Sequence, residues 1–195
     1  MNTIGIIISI LALAISSLTA YVTLIRRGNI RMTQPTVVFF GPDGPGGSPK
    51  VFLRTLLYST AKRGKIIENM FVKLRRGESA QNFNIWVYGD NPAALARGSG
   101  LFVSEEGIVC NHHFLLPKDG NSFEFVAGEY ILESYVSLVG QESTLLNKIS
   151  LSITETQANA LKNSQNGLYF DWGPDSKQYN SHLDERPMKQ PFRLY

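Results

Sequence analysis

The chain holds a single cysteine, Cys110, and three histidines in 195 residues. An internal disulfide is therefore excluded, and the fold must stand on its packed core. One thiol fits a reducing compartment without requiring one. Charge is sparse too: 18% of residues are Asp, Glu, Lys or Arg, against about a quarter in an average domain, and the formal net charge is only +3. That balance lacks the strong basic stripe of a nucleic-acid binder, so no nucleic-acid partner is expected. There is no G-x-S-x-G elbow, no H-E-x-x-H pair and no framed pair of carboxylates, so the sequence assigns no catalytic residue, no cofactor and no metal site. N-x-[ST] acceptors are missing as well, which suits a cytosolic or bacterial setting, and no segment repeats at solenoid spacing.

The longest stretch without charge opens the chain. From Ile4 to Ile25 no residue is ionisable except Tyr21, and about 22 helical residues at ~1.5 Å each cover roughly 33 Å, the thickness of a hydrocarbon core. Its isoleucines and leucines favour insertion strongly enough to outweigh scattered Ser and Thr, whose hydroxyls can bond back into the helix. The preceding "MNT" has no basic residue and the run exceeds a signal peptide's apolar core, so a permanent signal-anchor is expected despite the small-x-small "ALA" at Ala12 to Ala14. Gly5, Ser16 and Ser17 form no clean small-xxx-small pair among themselves for a partner helix. Arg26, Arg27 and Arg31 follow the run and nothing basic but the terminal amine precedes it, so the positive-inside rule places the rest of the chain in the cytoplasm. The expected divisions are a transmembrane helix over 1–26, a basic juxtamembrane linker over 27–35, a β domain over 36–154, and a short helix, possible extra strand and flexible tail over 155–195.

After the linker come short apolar runs with period-two character, broken by Gly, Pro, Asn and Lys-rich turns. This spacing predicts an all-β, antiparallel sandwich. The runs are "TVVFF", "VFLRTLLYS", "IIENMFVKL", "NFNIWVYG", "GLFVS", "GIVCNHHFLL", "SFEFV", "YILESYVSLV" and "NKISLSIT". Alternation nominates nine core residues: Met70, Val72 and Leu74; Phe83, Ile85 and Val87; Ile149, Leu151 and Ile153. Thr154 with Gln157 reads as a capping box for a short helix, "LYFDW" as an edge strand or flap, and the remaining residues as a loose tail in which Phe192 and Tyr195 can dock.

The stretch "AGEYILESYVSLVGQESTLLNKISLSIT", residues 127–154, resembles the terminal hairpin of immunoglobulin-like sandwiches, with Tyr130 after Gly128 and Glu129 in the place of the tyrosine-corner residue. The resemblance implies that the Tyr130 hydroxyl bonds back to the chain just upstream. It is a likeness of fold, and such folds carry many unrelated functions. One cysteine cannot supply the antibody-type bridge, and Trp86 matches the core tryptophan only loosely.

Cys110, His112 and His113 are close enough in sequence to suggest metal ligands. On a strand, however, His112 shares a face with Cys110 while His113 does not, and His182 is remote. A structural role is the stronger reading. "GPDGPGGSPK", Gly41 to Lys50, lacks phosphate-loop spacing and reads as a mobile inter-strand loop. Basic clusters at Lys62, Arg63 and Lys65 and at Lys73, Arg75 and Arg76 read as solvated turns or as contacts to an anionic leaflet. Asp171 and Asp175 read as turn formers. Trp86 and Tyr88, opposite Phe83, Ile85 and Val87, are expected either to be covered by "LYFDW" or the tail or to form a partner-binding patch. The expectation is a non-catalytic protein-interaction module, a scaffold or accessory subunit of a membrane-associated assembly, with a protein partner, a lipid contact through residues 4–25, and self-pairing open to it. The alternatives are the same architecture facing an envelope or periplasm, and a membrane-bound metal protein or enzyme.

Overall fold

The structure, a computed structural model, describes residues 3–26, 28–44, 46–91, 94–98, 100–117, 123–163 and 165–185. Arg27 and the expected docking of Phe192 and Tyr195 lie outside them. Helix α1 (Thr3–Ala20) continues as one π-helical turn (Tyr21–Ile25), giving a 23-residue helix long and apolar enough to cross a membrane. None of its side chains is buried. Its hydroxyls turn inward along the helix: Ser9 donates to the Gly5 carbonyl, Thr19 to Ile15 and Thr23 to Thr19, so these polar groups carry their own partners.

The remainder is two antiparallel sheets. The larger contains β1 (Ile30–Met32), β2 (Val37–Pro42), β3 (Pro49–Ser59), β6 (Ile85–Tyr88), β7 (Ala96–Arg97), β9 (Ile108–Leu115), β12 (Asn166–Gly173) and β13 (Gln178–Glu185). Its order is β13-β12-β2-β3-β9-β6-β7, with β1 also on β3. The smaller contains β4 (Lys65–Arg76), β5 (Ser79–Phe83), β8 (Leu101–Val103), β10 (Gly128–Leu138) and β11 (Thr144–Ile153), ordered β11-β10-β4-β5 with β8 also on β4. Their facing sides supply one core, in which Phe40 stacks on Phe125 at 5.0 Å and meets Tyr130 and Phe170 edge-on, while Phe83 meets Phe123.

Seven of the nine nominated core residues are buried: Met70, Val72, Leu74, Phe83, Ile149, Leu151 and Ile153. Ile85 and Val87 are not, and Trp86 between them is buried instead. The cause is a change of sheet. Phe83 ends β5 on the smaller sheet, Ile85 begins β6 on the larger, and Asn84 joins them. A strand that crosses to the opposite layer must face the other way to reach the same core, so the alternation inverts at Asn84.

Three other expectations change. Of "SFEFV", Phe123 to Val126 are irregular rather than strand, and Phe125 is buried with stacking ring contacts. "LYFDW" is neither edge nor flap, since β12 pairs with β2 on one side and β13 on the other. The start of the presumed tail forms β13. The sheets thus take in Ile30–Met32 and residues 166–185, on either side of the expected 36–154. Helix α2 (Glu155–Leu161) bridges β11 and β12 with the expected capping box: Thr154 Oγ1 accepts from the Gln157 amide, and the Gln157 side chain accepts from the Thr154 amide.

Candidate interaction surfaces

The pair in "VCNHHF" that shares a face turns into the core. Cys110 is 5% and His112 0% exposed, both pointing between the sheets from β9. Trp86 Nε1–H lies 3.2 Å from His112 Nδ1. An indole N–H can only donate, so Nδ1 accepts, the imidazole proton sits on Nε2, and that N–H faces Cys110 Sγ at 3.4 Å. Neither nitrogen retains a lone pair for a metal. Burial, reinforced by His113 and opposed by Asp90, pushes His112 down to about 4, and burial with Asp90, opposed by Arg54, pushes the Cys110 thiol up to about 11. The result is a neutral imidazole and a protonated thiol at pH 7, a polar bridge inside the core and a poor nucleophile. Among the described residues no three His, Cys, Asp or Glu side chains cluster as metal ligands.

The other sequence candidates separate. Trp86 and Tyr88 form no exposed patch: Trp86 is 2% exposed, the two rings stack at 4.7 Å, and the Tyr88 hydroxyl donates to the Gly100 carbonyl. Asp171 Oδ2 lies 3.1 Å from His182 Nδ1, whereas Asp175 lies in the β12–β13 turn. Of the Gly41–Lys50 segment only the two ends are strand, with Gly41 opposite Lys50 and Pro42 opposite Pro49, and the described residues between them form the connecting loop. Its closure is reinforced by Lys50, 6% exposed, whose ammonium reaches Asp43 at 2.9 Å and lies 5.9 Å from the Phe39 ring. The two basic clusters sit at opposite ends of β4, which at ~3.3 Å per residue puts Lys65 about 26 Å from Lys73 and about 36 Å from Arg76.

What replaces the Trp86 patch is on the other side of the same sheet. Cross-strand register places His182, Tyr169, Phe39, Phe52, His113 and Val87 in a single row over β13, β12, β2, β3, β9 and β6. Their rings meet in sequence: Tyr169 stacks on His182 at 5.4 Å and tilts on Phe39 at 4.8 Å, Phe39 meets Phe52 edge-on at 6.4 Å, and Phe52 tilts on His113 at 5.0 Å. Phe39 is fully covered because its ring lies over Gly41 and Gly167, where any Cβ would collide with it. Tyr169, Phe52, His113 and Val87 are half-buried and His182 at the β13 end is exposed, with Ile85 and Leu115 beside the row.

Matched against protein-family models, curated proteins and solved structures, this chain resembles none of them. The fold and surface therefore rest on the physical observations alone. One reading of "VVFF" and "VFLRT" makes the outer row intelligible: these runs are apolar at successive positions, which is how strands covered on both faces read. Alternation was the wrong template for them. The sandwich also has an open side, a groove of about 630 Å³ between β11 and β12–β13, where Trp172 tilts on Tyr179 at 5.1 Å and Gln34 donates to the Tyr179 hydroxyl. Burial, opposed by that bond, pushes Tyr179 up to about 12, and its hydroxyl donates to the Pro35 carbonyl, so it acts as a strut between β13 and the chain entering β2.

Proposed function

We propose that the chain is a single-pass membrane protein whose immunoglobulin-like sandwich faces the cytosol and works by binding a protein partner, as a scaffold or accessory subunit rather than an enzyme. The observation that carries the binding reading is the half-buried aromatic row on the outer face of the larger sheet. Aromatic side chains on a rigid sheet make anchors at low conformational-entropy cost, and contiguous apolar surface of this kind is uncommon on a sheet that meets only water. The membrane reading is supported by an apolar 23-residue helix none of whose side chains is buried. The cytosolic orientation is supported by Arg26, Arg27 and Arg31 immediately after it. The immunoglobulin-like reading is supported by the corner at Tyr130, whose hydroxyl donates to the Val126 carbonyl at 2.8 Å and accepts from the Val126 amide at 3.1 Å.

Paired C-terminal fusions to a cytosol-only and an export-only reporter test the orientation; an exported signal moves the search for partners to the envelope. Photo-crosslinking residues placed at Phe52 and Tyr169, with Glu78 as a control on the β4–β5 turn, test the surface. Adducts to one protein from both row positions and none from Glu78 are expected, and an adduct to a second copy of the chain identifies self-association. Crosslinking indistinguishable from the control at both row positions would rule the surface out.

A further inference from the structure

The end of the sandwich nearest the helix carries a surface that the aromatic row does not involve. Arg26, Arg63 and Lys65 line a groove of about 430 Å³ together with Ile66, Phe102 and Val139. The three apolar side chains are 52%, 60% and 61% exposed, among the most exposed large hydrophobics outside the helix. Ile66 and Phe102 are cross-strand partners on the outer face of the smaller sheet, and Val139 follows β10 in the adjoining turn. Among the described residues no carboxylate lines the groove; Glu105, Glu106 and Glu142 lie outside it. Among the described residues, none of the three cations is in an ion pair.

The connection to the helix is almost without slack. The Arg26 amide still donates to the Tyr21 carbonyl at the helix end, and Gly28 is already packed on Ala61 so closely that a Cβ would lie 2.6 Å from it. The Asn29 amide then donates to Thr60 Oγ1 while the Thr60 amide donates to the Asn29 carbonyl. Only position 27 separates the helix from a chain pinned to the β3–β4 turn. A helix that ends at the edge of the hydrocarbon therefore delivers this end of the sandwich to the head-group layer, which is roughly 5–8 Å deep on each side.

We propose that this groove is a second membrane contact: Phe102, Ile66 and Val139 enter the acyl boundary while Arg26, Arg63 and Lys65 hold anionic lipid head groups, fixing the sandwich's tilt on the leaflet. Exposed apolar side chains beside unpaired cations are the composition of an interfacial anchor, and neither half is explained by the other surfaces. The inference rests on the membrane-anchored reading above.

The test uses the full chain in vesicles, with Cys110→Ala and a spin label at Val139→Cys, read by collision with oxygen and with a water-soluble nickel chelate. Matching labels at Leu13→Cys in the helix and Glu78→Cys at the far turn are controls. In vesicles of seven parts zwitterionic to three parts anionic lipid, the Val139 label is expected to be protected from nickel and open to oxygen, and the Glu78 label the reverse. Replacing Arg63→Gln with Lys65→Gln removes two cations, each worth about a five-fold change, and so lowers the docked-to-free ratio by about 25-fold. Phe102→Ser returns the label to water independently of charge. A lipid-embedded Leu13 label with a water-exposed Val139 label overturns the groove contact alone; a water-exposed Leu13 label overturns the anchor and the contact with it. Equal protection of Val139 in purely zwitterionic vesicles overturns the head-group selectivity.

Discussion

Acidification should destabilise this sandwich through His112. The folded protein holds the imidazole neutral, with burial pushing it down to about 4, while in the unfolded chain it titrates near its ordinary 6.5. Between those values the unfolded state binds a proton that the folded state refuses. Stability from His112 is therefore complete above pH 6.5 and disappears as the pH falls towards 4. The 2.5-unit gap corresponds to about 3 kcal/mol, of which about 2 kcal/mol is already lost at pH 5. Structurally, a proton on Nδ1 would set one N–H against the Trp86 Nε1–H it now accepts from. Urea unfolding of the full chain in detergent, followed by tryptophan fluorescence at pH 7.5 and pH 5, reads the loss as a midpoint shift of about 1 M for a slope near 2 kcal/mol per M. Asn in place of His112 keeps an acceptor for Trp86 and removes the titration, so the difference in pH slope between the two proteins isolates this residue from the carboxylates. Identical slopes in wild type and His112→Asn would refute the argument.

Tyr130→Phe should cost about 1–2 kcal/mol in the same unfolding assay, since it removes a hydroxyl that both donates to and accepts from Val126. Gly167→Ala should cost about 1–3 kcal/mol or force Phe39 outward, because the added methyl enters space the Phe39 ring fills; a neutral result by thermal melting would show that the outer row is loosely packed. Cys110 should resist alkylation at pH 7.5 until the protein is unfolded, with a thiol pushed up to about 11 and only 5% exposed; rapid labelling of the native protein would contradict the His112 bridge. Thr154→Ala should cost about 1 kcal/mol by removing the α2 cap.

Much of the fold was legible because single-faced strands write their burial into alternation. Ile149, Leu151 and Ile153, and Met70, Val72 and Leu74, each stay on one sheet and point where the pattern says. The capping box at Thr154 is a purely local signal and reads equally well. The failures each have their own cause. Ile85 and Val87 were misassigned because a one-residue passage between sheets at Asn84 leaves no mark in composition. Strand β13 was missed because it is an exposed, polar edge whose order comes from pairing with β12, not from its own sequence. The outer aromatic row depends on register over six strands and appears only when Tyr169, Phe39 and Phe52 are brought side by side.

The place of β2 between β3 and β12 also dictates when the protein can finish folding. Val37 pairs with Arg54 on one side and with Asp171 on the other, a partner more than 130 positions further along the chain. During synthesis the hairpin of β2 and β3 can form early, but the free side of β2 waits for almost the entire chain, a high-contact-order closure expected to be slow. Until β12 arrives, the Phe40 and Val38 side of the core and an unpaired strand edge stand open, which is the state in which nascent β proteins stick to one another. An interruption anywhere before residue 170 leaves the larger sheet without the strand that closes β2.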